Sequence, residues 1–134
     1  MSHFTSVETK INDLLCLKRA LADLQIQFTE AQAEEQVFVK GYQGQTTGAK
    51  MAIHISKSYD IGVKVDAKGN VQFVADWWGV ETTRGWAEDE FIKKVTRRYS
   101  YHKVMAEVNK RGYTLESEEV KEDQTVQIRV RTWG

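Results

Sequence analysis

Three runs between residues 51 and 77, in which every second residue is apolar, constrain the fold more than any other feature of this sequence. Alternation with a period of two places apolar side chains on one face of a β-strand, because successive side chains point to opposite faces. Three strands are predicted in this way, with apolar positions Met51, Ile53 and Ile55, then Ile61, Val63 and Val65, then Val71, Phe73, Ala75 and Trp77. Residues 66–70 join the last two as a tight hairpin, with Gly69 in the left-handed conformation. An antiparallel sheet is therefore predicted.

Two segments have helical rather than strand periodicity. Leucines at positions 14, 17, 21 and 24 predict a helix over residues 12–24, which Asn12 or Asp13 can cap. A second helix is predicted from Trp86 to Gly112, with acidic residues at its start and basic residues at its end, as the helix dipole favours. Such a helix would be about 39 Å long in a domain roughly 36 Å across, so we expect a bend or break near residues 98–100.

The remaining segments of the chain are predicted to form short strands. Short strands are predicted at residues 3–10, around Ile26 and Phe28, around Val37 and Val39, at 113–119 and at 124–133, where Val126, Ile128 and Val130 share one face. A length of 134 residues corresponds to about one domain. We therefore predict a single α+β domain over residues 1–134, with a largely antiparallel sheet and helices packed on one face.

The charge balance limits the classes of partner. Lys plus Arg and Asp plus Glu both number 19, so the formal net charge is zero. Any contact with nucleic acid or a peripheral membrane surface must therefore come from a local patch, and self-association into a homo-oligomer meets no charge repulsion. Nucleic acid is not an expected partner, because no recognisable nucleic-acid-binding module accompanies the basic residues. No apolar stretch approaches the roughly 20 residues that span a bilayer, and no secretory signal is visible, so a soluble intracellular protein is expected.

The residues that most often carry chemistry form no recognisable motif. Cys16 lies within the leucine-rich helix, where a buried, unreactive side chain is the expected role. The three histidines have no ligand spacing, and a metal site would require His54 or His102 to meet Asp60, Asp76 or Cys16 in space. We assign no catalytic residue, no metal and no cofactor, and nothing in the sequence argues for an enzyme.

Two surface features are candidates for partner binding. Trp77 and Trp78, placed on a strand, would face opposite sides of the sheet, so one of them is expected to be exposed unless another element of the domain covers it. A basic stripe on the second helix consists of Lys93, Lys94, Arg97 and Arg98 and is extended by His102 and Lys103. It is either a solvated face or a docking surface for an acidic partner, lipid headgroups or, least expected, RNA. The predicted partner-binding residues are Trp78, Trp86, Lys94, Arg97, Arg98 and His102.

The glycine- and threonine-rich segment 41–50 is a weaker candidate for ligand binding. Its spacing differs from that of a Walker loop, but Gly44, Gln45, Thr46 and Thr47 offer amides and hydroxyls that can hold an anion. The other interpretation is a plain hairpin connection between two strands.

Short motifs spread over nearly the whole chain resemble one known family. They are Ser2-His3-Phe4-Thr5, Gly41-Tyr42-Gln43-Gly44-Gln45, Tyr59-Asp60-Ile61-Gly62, Asp76-Trp77-Trp78-Gly79, Arg98-Tyr99-Ser100-Tyr101-His102 and Arg131-Thr132-Trp133. The chain is similar to the family of the hypothetical chloroplast open reading frame thirty-five, of cyanobacteria and plastids. The resemblance implies a supporting role around the photosynthetic apparatus, in the cyanobacterial cytoplasm or plastid stroma, including the thylakoid surface. It transfers no catalytic residues.

Three functions follow as hypotheses. The first is a non-enzymatic accessory factor, for assembly or regulation of the photosynthetic apparatus, that binds another protein through the exposed tryptophans and the basic stripe. In this hypothesis, replacing Arg97 and Arg98 by Glu abolishes partner binding without changing thermal stability. The second is a small-ligand sensor that uses segment 41–50, and the third is a metal-dependent enzyme that uses His54, His102, Asp60 and Asp76.

Overall fold

The computed structural model describes residues 3–121 and 126–132. In these ranges the chain forms three α-helices: α1 (Leu14–Asp23), α2 (Trp77–Arg84) and α3 (Glu88–Lys110). The strands are β1 (Thr5–Glu8), β2 (Phe28–Glu30), β3 (Val37–Lys40), β4 (Thr46–Ala49), β5 (Met51–His54), β6 (Asp60–Val65), β7 (Val71–Ala75), β8 (Thr114–Val120) and β9 (Val126–Arg131). The predicted α+β class is confirmed.

Five strands form the central sheet, in the order β1-β7-β6-β5-β2, and all neighbouring pairs are antiparallel. Strand β6 is at the centre, where Ile61 is opposite Ile53 of β5 and Ala75 of β7. The turn between β6 and β7 contains Gly69 at a φ of 86°, as the sequence predicts. The outermost strands, β1 and β2, are both supplied by the first thirty residues.

The helices cover one face of this sheet. The alternating apolar residues Met51, Ile53, Ile61, Val63, Val71 and Phe73 are fully buried there. They belong to one core cluster with Leu17 and Leu21 of α1 and Phe91 and Val95 of α3. Asp13 caps α1 by accepting a hydrogen bond from the backbone N–H of Cys16 at 3.1 Å. Helices on one face are therefore confirmed, as is the buried position of Cys16.

The antiparallel hairpin β3–β4 packs against the opposite face of the sheet. Val39, Ala49 and Ala52 form a small second core there. Gly62 permits the close approach, because a Cβ atom at this position would lie 2.6 Å from Cγ2 of Val39. Segment 41–50 forms the turn of this hairpin and its second strand, β4, which the sequence does not predict.

The strand prediction for the paired tryptophans is wrong, since Trp77 begins helix α2. The side chain of Asp76 accepts a hydrogen bond from the backbone N–H of Gly79 at 3.2 Å, which caps the helix and ends β7 at Ala75. Trp77 is nevertheless buried and Trp78 is 58% exposed, because neighbouring positions on a helix also point in different directions.

Helix α3 is uninterrupted, so the break expected near residues 98–100 is also wrong. The helix has 23 residues, about 34 Å, and starts two residues later than predicted, so it fits the domain without a break. Its first half carries Phe91, Val95 and Tyr99 into the core. The hairpin β8–β9 follows the helix and is linked back to it by a hydrogen bond from Tyr101 to Glu118.

Candidate functional site

An apolar groove lies between α3 and β9, with a volume of about 430 Å³. One wall carries Ile92, Thr96, Ser100 and Val104, which recur every fourth residue and therefore share one face of α3. The other wall carries Val126 and Ile128 of β9, and Lys93, Arg97 and Tyr101 complete the lining.

The face of the hairpin that contributes Val126 and Ile128 to this groove carries further apolar side chains, outside the lining itself, that the described residues leave exposed. Val126, Ile128 and Val130 are half-buried and alternate with exposed residues, as predicted. On β8, Leu115 lies opposite Val130 and Val120 lies opposite Val126, so both belong to the same face of the hairpin. They are 40% and 58% exposed, and Val104 on α3 is 47% exposed. The groove is thus an incompletely filled apolar layer.

Two cations lie beside this apolar surface. Lys93 and Arg97 are one helical turn apart on α3, and both line the groove. Within residues 3–121 and 126–132, neither of them forms a salt bridge. Tyr101 follows in the same row, and its hydroxyl donates to Oε2 of Glu118 at 3.0 Å. Burial and then this hydrogen bond raise the pKa of Tyr101, so the phenol stays protonated and neutral.

The other half of the basic stripe is used inside the molecule. Arg98 and His102 both bind Asp23 at the end of α1, with His102 Nε2 at 2.6 Å from Oδ2 of that carboxylate. Lys103 lies 3.6 Å from Asp13 at the start of α1. These contacts tie α3 to α1. Arg98 and His102, both predicted to bind a partner, are therefore already paired with an acidic side chain. Lys93 and Arg97 are the stripe residues that line the groove, and of these only Arg97 is a predicted partner-binding residue.

The two predicted tryptophan anchors lie elsewhere. Trp78 is exposed and meets the ring of Tyr42 edge-on, with ring centroids 6.3 Å apart. Trp86 is half-buried against Phe91, and Arg84 lies over its ring at 4.2 Å from the centroid. Lys94 also approaches Trp86, at 5.7 Å, so these two predicted residues are brought together. Neither indole lines the groove.

Of the four predicted ligand-loop residues, Gly44 and Gln45 lie in the turn of the β3–β4 hairpin, and Thr46 and Thr47 begin strand β4. Gly44 has a φ of 78° and ends a short 3-10 turn, and Gln45 accepts a hydrogen bond from the N–H of Gly41 at 2.8 Å. Thr46 and Thr47 are in β4, opposite Lys40 and Val39. Their role in anion binding stays a prediction.

A hydrogen-bonded network on the β3–β4 side of the sheet joins Thr29, His54 and Asp60. His54 Nδ1 is 3.0 Å from Oδ1 of Asp60, and His54 Nε2 is 2.7 Å from the hydroxyl of Thr29. The sequence names His54 and Asp60 as residues that could meet, but not Thr29, because nothing in the local pattern shows which strand pairs with β5. His102 is bound to Asp23 instead, so the two histidines do not combine. In the part of the chain that the structure describes, no three His, Cys, Asp or Glu side chains are grouped to hold a metal ion.

The helices of the described ranges contain no segment long and apolar enough to cross a membrane. The fold and the groove together define an α+β protein whose antiparallel sheet has helices on one face and the β3–β4 hairpin over part of the other, with an apolar groove open at its surface.

The chain belongs to the family described as "Protein of unknown function (DUF1257)", whose profile matches residues 20–129. It is 33% identical over 138 residues to the uncharacterized protein ycf35 of Guillardia theta, covering 99% of this chain and 98% of the relative. The proteins of the same name from Pyropia yezoensis and Cyanophora paradoxa are 26% and 25% identical, and each alignment covers at least 98% of both chains. No solved structure matches the chain. The family resemblance seen in the short motifs is confirmed, and these relatives come from plastid-bearing organisms.

Proposed function

We propose that this domain is an accessory factor that acts by binding another protein, and that the groove between α3 and β9 receives the partner. The observation that carries the proposal is the combination of an open apolar surface with two cations at its edge, Lys93 and Arg97. Exposed apolar surface is costly in water, and a rim of polar or charged groups around it is typical of interaction sites.

The shape of the groove favours an amphipathic helix as the bound element. Ile92, Thr96, Ser100 and Val104 extend over three turns of α3, a distance of about 18 Å. A partner helix that presents apolar side chains at positions i, i+4 and i+7 would follow a row of this length. Acidic side chains on the flank of that helix would complement Lys93 and Arg97 and fix its direction. The partner segment is therefore apolar on one side and acidic beside it.

The relatives give the proposal its biological setting. Proteins that match this chain along almost their full length occur in plastid-bearing organisms, which supports a partner in the photosynthetic apparatus. We place the domain in the plastid stroma or the cyanobacterial cytoplasm, where it assists the assembly or regulation of a photosynthetic complex, including at the thylakoid surface.

Affinity purification from the native host, with three single substitutions compared to the unaltered protein, tests the proposal. Arg97→Glu reverses one groove cation and Val104→Glu places a charge in the apolar wall, so each is expected to lose at least 90% of the captured partner, about 1.4 kcal/mol of binding. Arg129→Glu makes the same charge change on the exposed face of β9 and is the matched control. It is expected to retain the partner.

A photo-crosslinking residue locates the partner directly. Placed at position 104 it is expected to crosslink the captured protein, and placed at position 129 it is not. Equal recovery of the partner by Arg97→Glu, Val104→Glu and Arg129→Glu would show that the groove is not the binding surface.

A further inference from the structure

Three side chains on neighbouring strands form a continuous hydroxyl–imidazole–carboxylate relay. The hydroxyl of Thr29 on β2 is 2.7 Å from Nε2 of His54, and Nδ1 of His54 is 3.0 Å from Oδ1 of Asp60. Both distances are within the range of good hydrogen bonds. Thr29 and His54 are 25 positions apart in the sequence, so the fold brings them together.

The sheet register builds the relay. His54 of β5 is directly opposite Asp60 of β6, and the edge strand β2 brings Thr29 opposite Ala52, two residues from His54 on the same face. Asp60 is 1% exposed, and its second oxygen accepts a hydrogen bond from the backbone N–H of Lys40 at 2.9 Å. The carboxylate is therefore held in place from two directions.

This arrangement determines which imidazole nitrogen carries the proton. A buried carboxylate accepts hydrogen bonds, so in the neutral imidazole the proton is on Nδ1 and is donated to Asp60. Nε2 then accepts a hydrogen bond from the hydroxyl of Thr29. In enzymes with an activated oxygen nucleophile, a carboxylate orients a histidine, and the basic nitrogen of that histidine accepts a hydrogen bond from the nucleophilic hydroxyl. Thr29, His54 and Asp60 have this arrangement. Thr29 and the His54 ring are both accessible, the latter with 39% of its side chain exposed.

We propose that Thr29 is a nucleophile that accepts an acyl group from an acyl phosphate. The donor class is indicated by an open pocket of about 250 Å³ lined by His54, Gln27, Ile55 and Arg84. Thr29 is not part of this lining and is joined to the pocket by its hydrogen bond to His54. Among the described residues Arg84 forms no salt bridge, and its guanidinium stacks on Trp86, a contact that leaves its charge available. An anionic leaving group, such as phosphate, suits a pocket with this cation.

The reaction balances without a further reactant. The oxygen of Thr29 attacks the carbonyl carbon of the acyl phosphate, and its proton passes to Nε2 of His54. The new bond joins Thr29 Oγ1 to the acyl carbon, and the bond between that carbon and the phosphate oxygen breaks. Phosphate leaves with the electron pair of the broken bond and takes the proton from Nε2, which returns the imidazole to its neutral form. Asp60 acts through His54 as a positioning residue.

Acetyl phosphate is the probe that tests this inference. The full-length protein is incubated with it, and peptide mass spectrometry follows the acetylation rate of Thr29 against that of Thr5, an exposed threonine on β1. Thr29 is expected to react at least 100-fold faster, since a positioned base contributes about 100- to 10,000-fold. His54→Gln is expected to remove that advantage, and Thr29→Ser to keep it.

Two further variants separate chemistry from structure. Added imidazole is expected to restore part of the Thr29 acetylation rate in His54→Ala, which a purely structural histidine does not allow. Arg84→Gln is expected to slow the reaction with acetyl phosphate about 10-fold while leaving that with the neutral ester 4-nitrophenyl acetate unchanged. A Thr29 rate equal to that of Thr5, or an unchanged Thr29 rate in folded His54→Gln, would overturn the inference. It concerns a different surface from the α3–β9 groove, so its outcome is independent of partner capture.

Discussion

The guanidinium of Arg98 donates two hydrogen bonds to Oδ2 of Asp23, from Nε at 2.9 Å and from Nη2 at 2.8 Å. His102, one turn further along α3, binds the same oxygen. A single carboxylate at the end of α1 therefore holds the middle of α3, and both helices are thereby positioned over the sheet.

Replacing Asp23 by Asn is expected to lower stability in a pH-dependent way. Burial raises the pKa of Asp23, but the hydrogen bonds and charges of Arg98 and His102 outweigh burial and lower it below the ordinary value of 3.8. A lowered folded-state pKa adds stability that is fully present above pH 3.8 and is lost as the pH falls through the folded-state value. Urea unfolding should show a deficit of about 1 kcal/mol for Asp23→Asn at pH 7, since the pair is partly exposed. The deficit should shrink towards pH 3; a constant deficit would contradict the assignment.

Arg97 and Arg98 are expected to differ in their effect on stability, although the sequence places them in one stripe. Arg98→Gln removes the contact with Asp23 and should lower the free energy of unfolding by about 1 kcal/mol. Arg97→Gln removes an exposed cation that has no acidic partner in the described ranges, so its effect should stay within about 0.5 kcal/mol. Thermal unfolding of the two proteins measures the difference. Equal losses would mean that the Asp23 contact does not hold α3 in solution.

Replacing Gly79 by Ala is expected to destabilise the domain. A Cβ atom at this position would lie 1.9 Å from Cε1 of Tyr59, which is itself buried. Alanine favours a helix over glycine by about 1 kcal/mol, but overpacking a buried ring costs about 1–3 kcal/mol, so the clash should prevail. Chemical denaturation measures the net loss. Glu81→Ala, at an exposed position of the same helix, is the control and should remain close to the unaltered protein.

Cys16 is expected to resist alkylation in the folded protein. Burial raises the pKa of its thiol, and the hydrogen bond and charge of Asp13 raise it further, so little reactive thiolate forms near neutral pH. The side chain is also 2% exposed. Iodoacetamide at pH 8 should modify the native protein on the order of 100-fold more slowly than the protein in denaturant. Similar rates in the two states would show that α1 opens readily.

The sheet was predictable because its strands follow simple alternation and are joined by short turns. Ile61 and Val63, for example, are predicted on one face of a strand, and both lie in the core. The opposite face was not predictable, since β4 is Thr-Thr-Gly-Ala and packs through the small side chain of Ala49. Small residues carry almost no periodic signal, even where close packing makes them necessary.

The errors at Trp77 and in α3 have physical reasons. Trp77 continues the alternation of β7, but the Asp76 cap and Gly85, at a φ of 83°, mark a short helix that overrides it. The break in α3 was predicted because the predicted helix, residues 86–112, extends two residues beyond the observed helix at each end and was therefore too long for the domain.

The candidate sites depend on tertiary contacts that no local pattern contains. The basic stripe is visible in the sequence. The sequence does not show that Arg98 pairs with Asp23 while Arg97 lines the groove, because this difference arises from the packing of α1 on α3. Thr29 meets His54 only because β2 occupies the edge beside β5. Glu122 and Asp123, which lie between the last two predicted strands, and Trp133, in the last of them, lie outside the described residues.

The first thirty residues provide both border strands of the central sheet, but β1 pairs with β7, the last of the five strands to be synthesised. Strands β5, β6 and β7 can pair with their neighbours as soon as they leave the ribosome, whereas β1 must wait until residue 75 has been made. The amino-terminal segment is the earliest to be translated and among the last to dock, and the nascent chain stays open along one border until then.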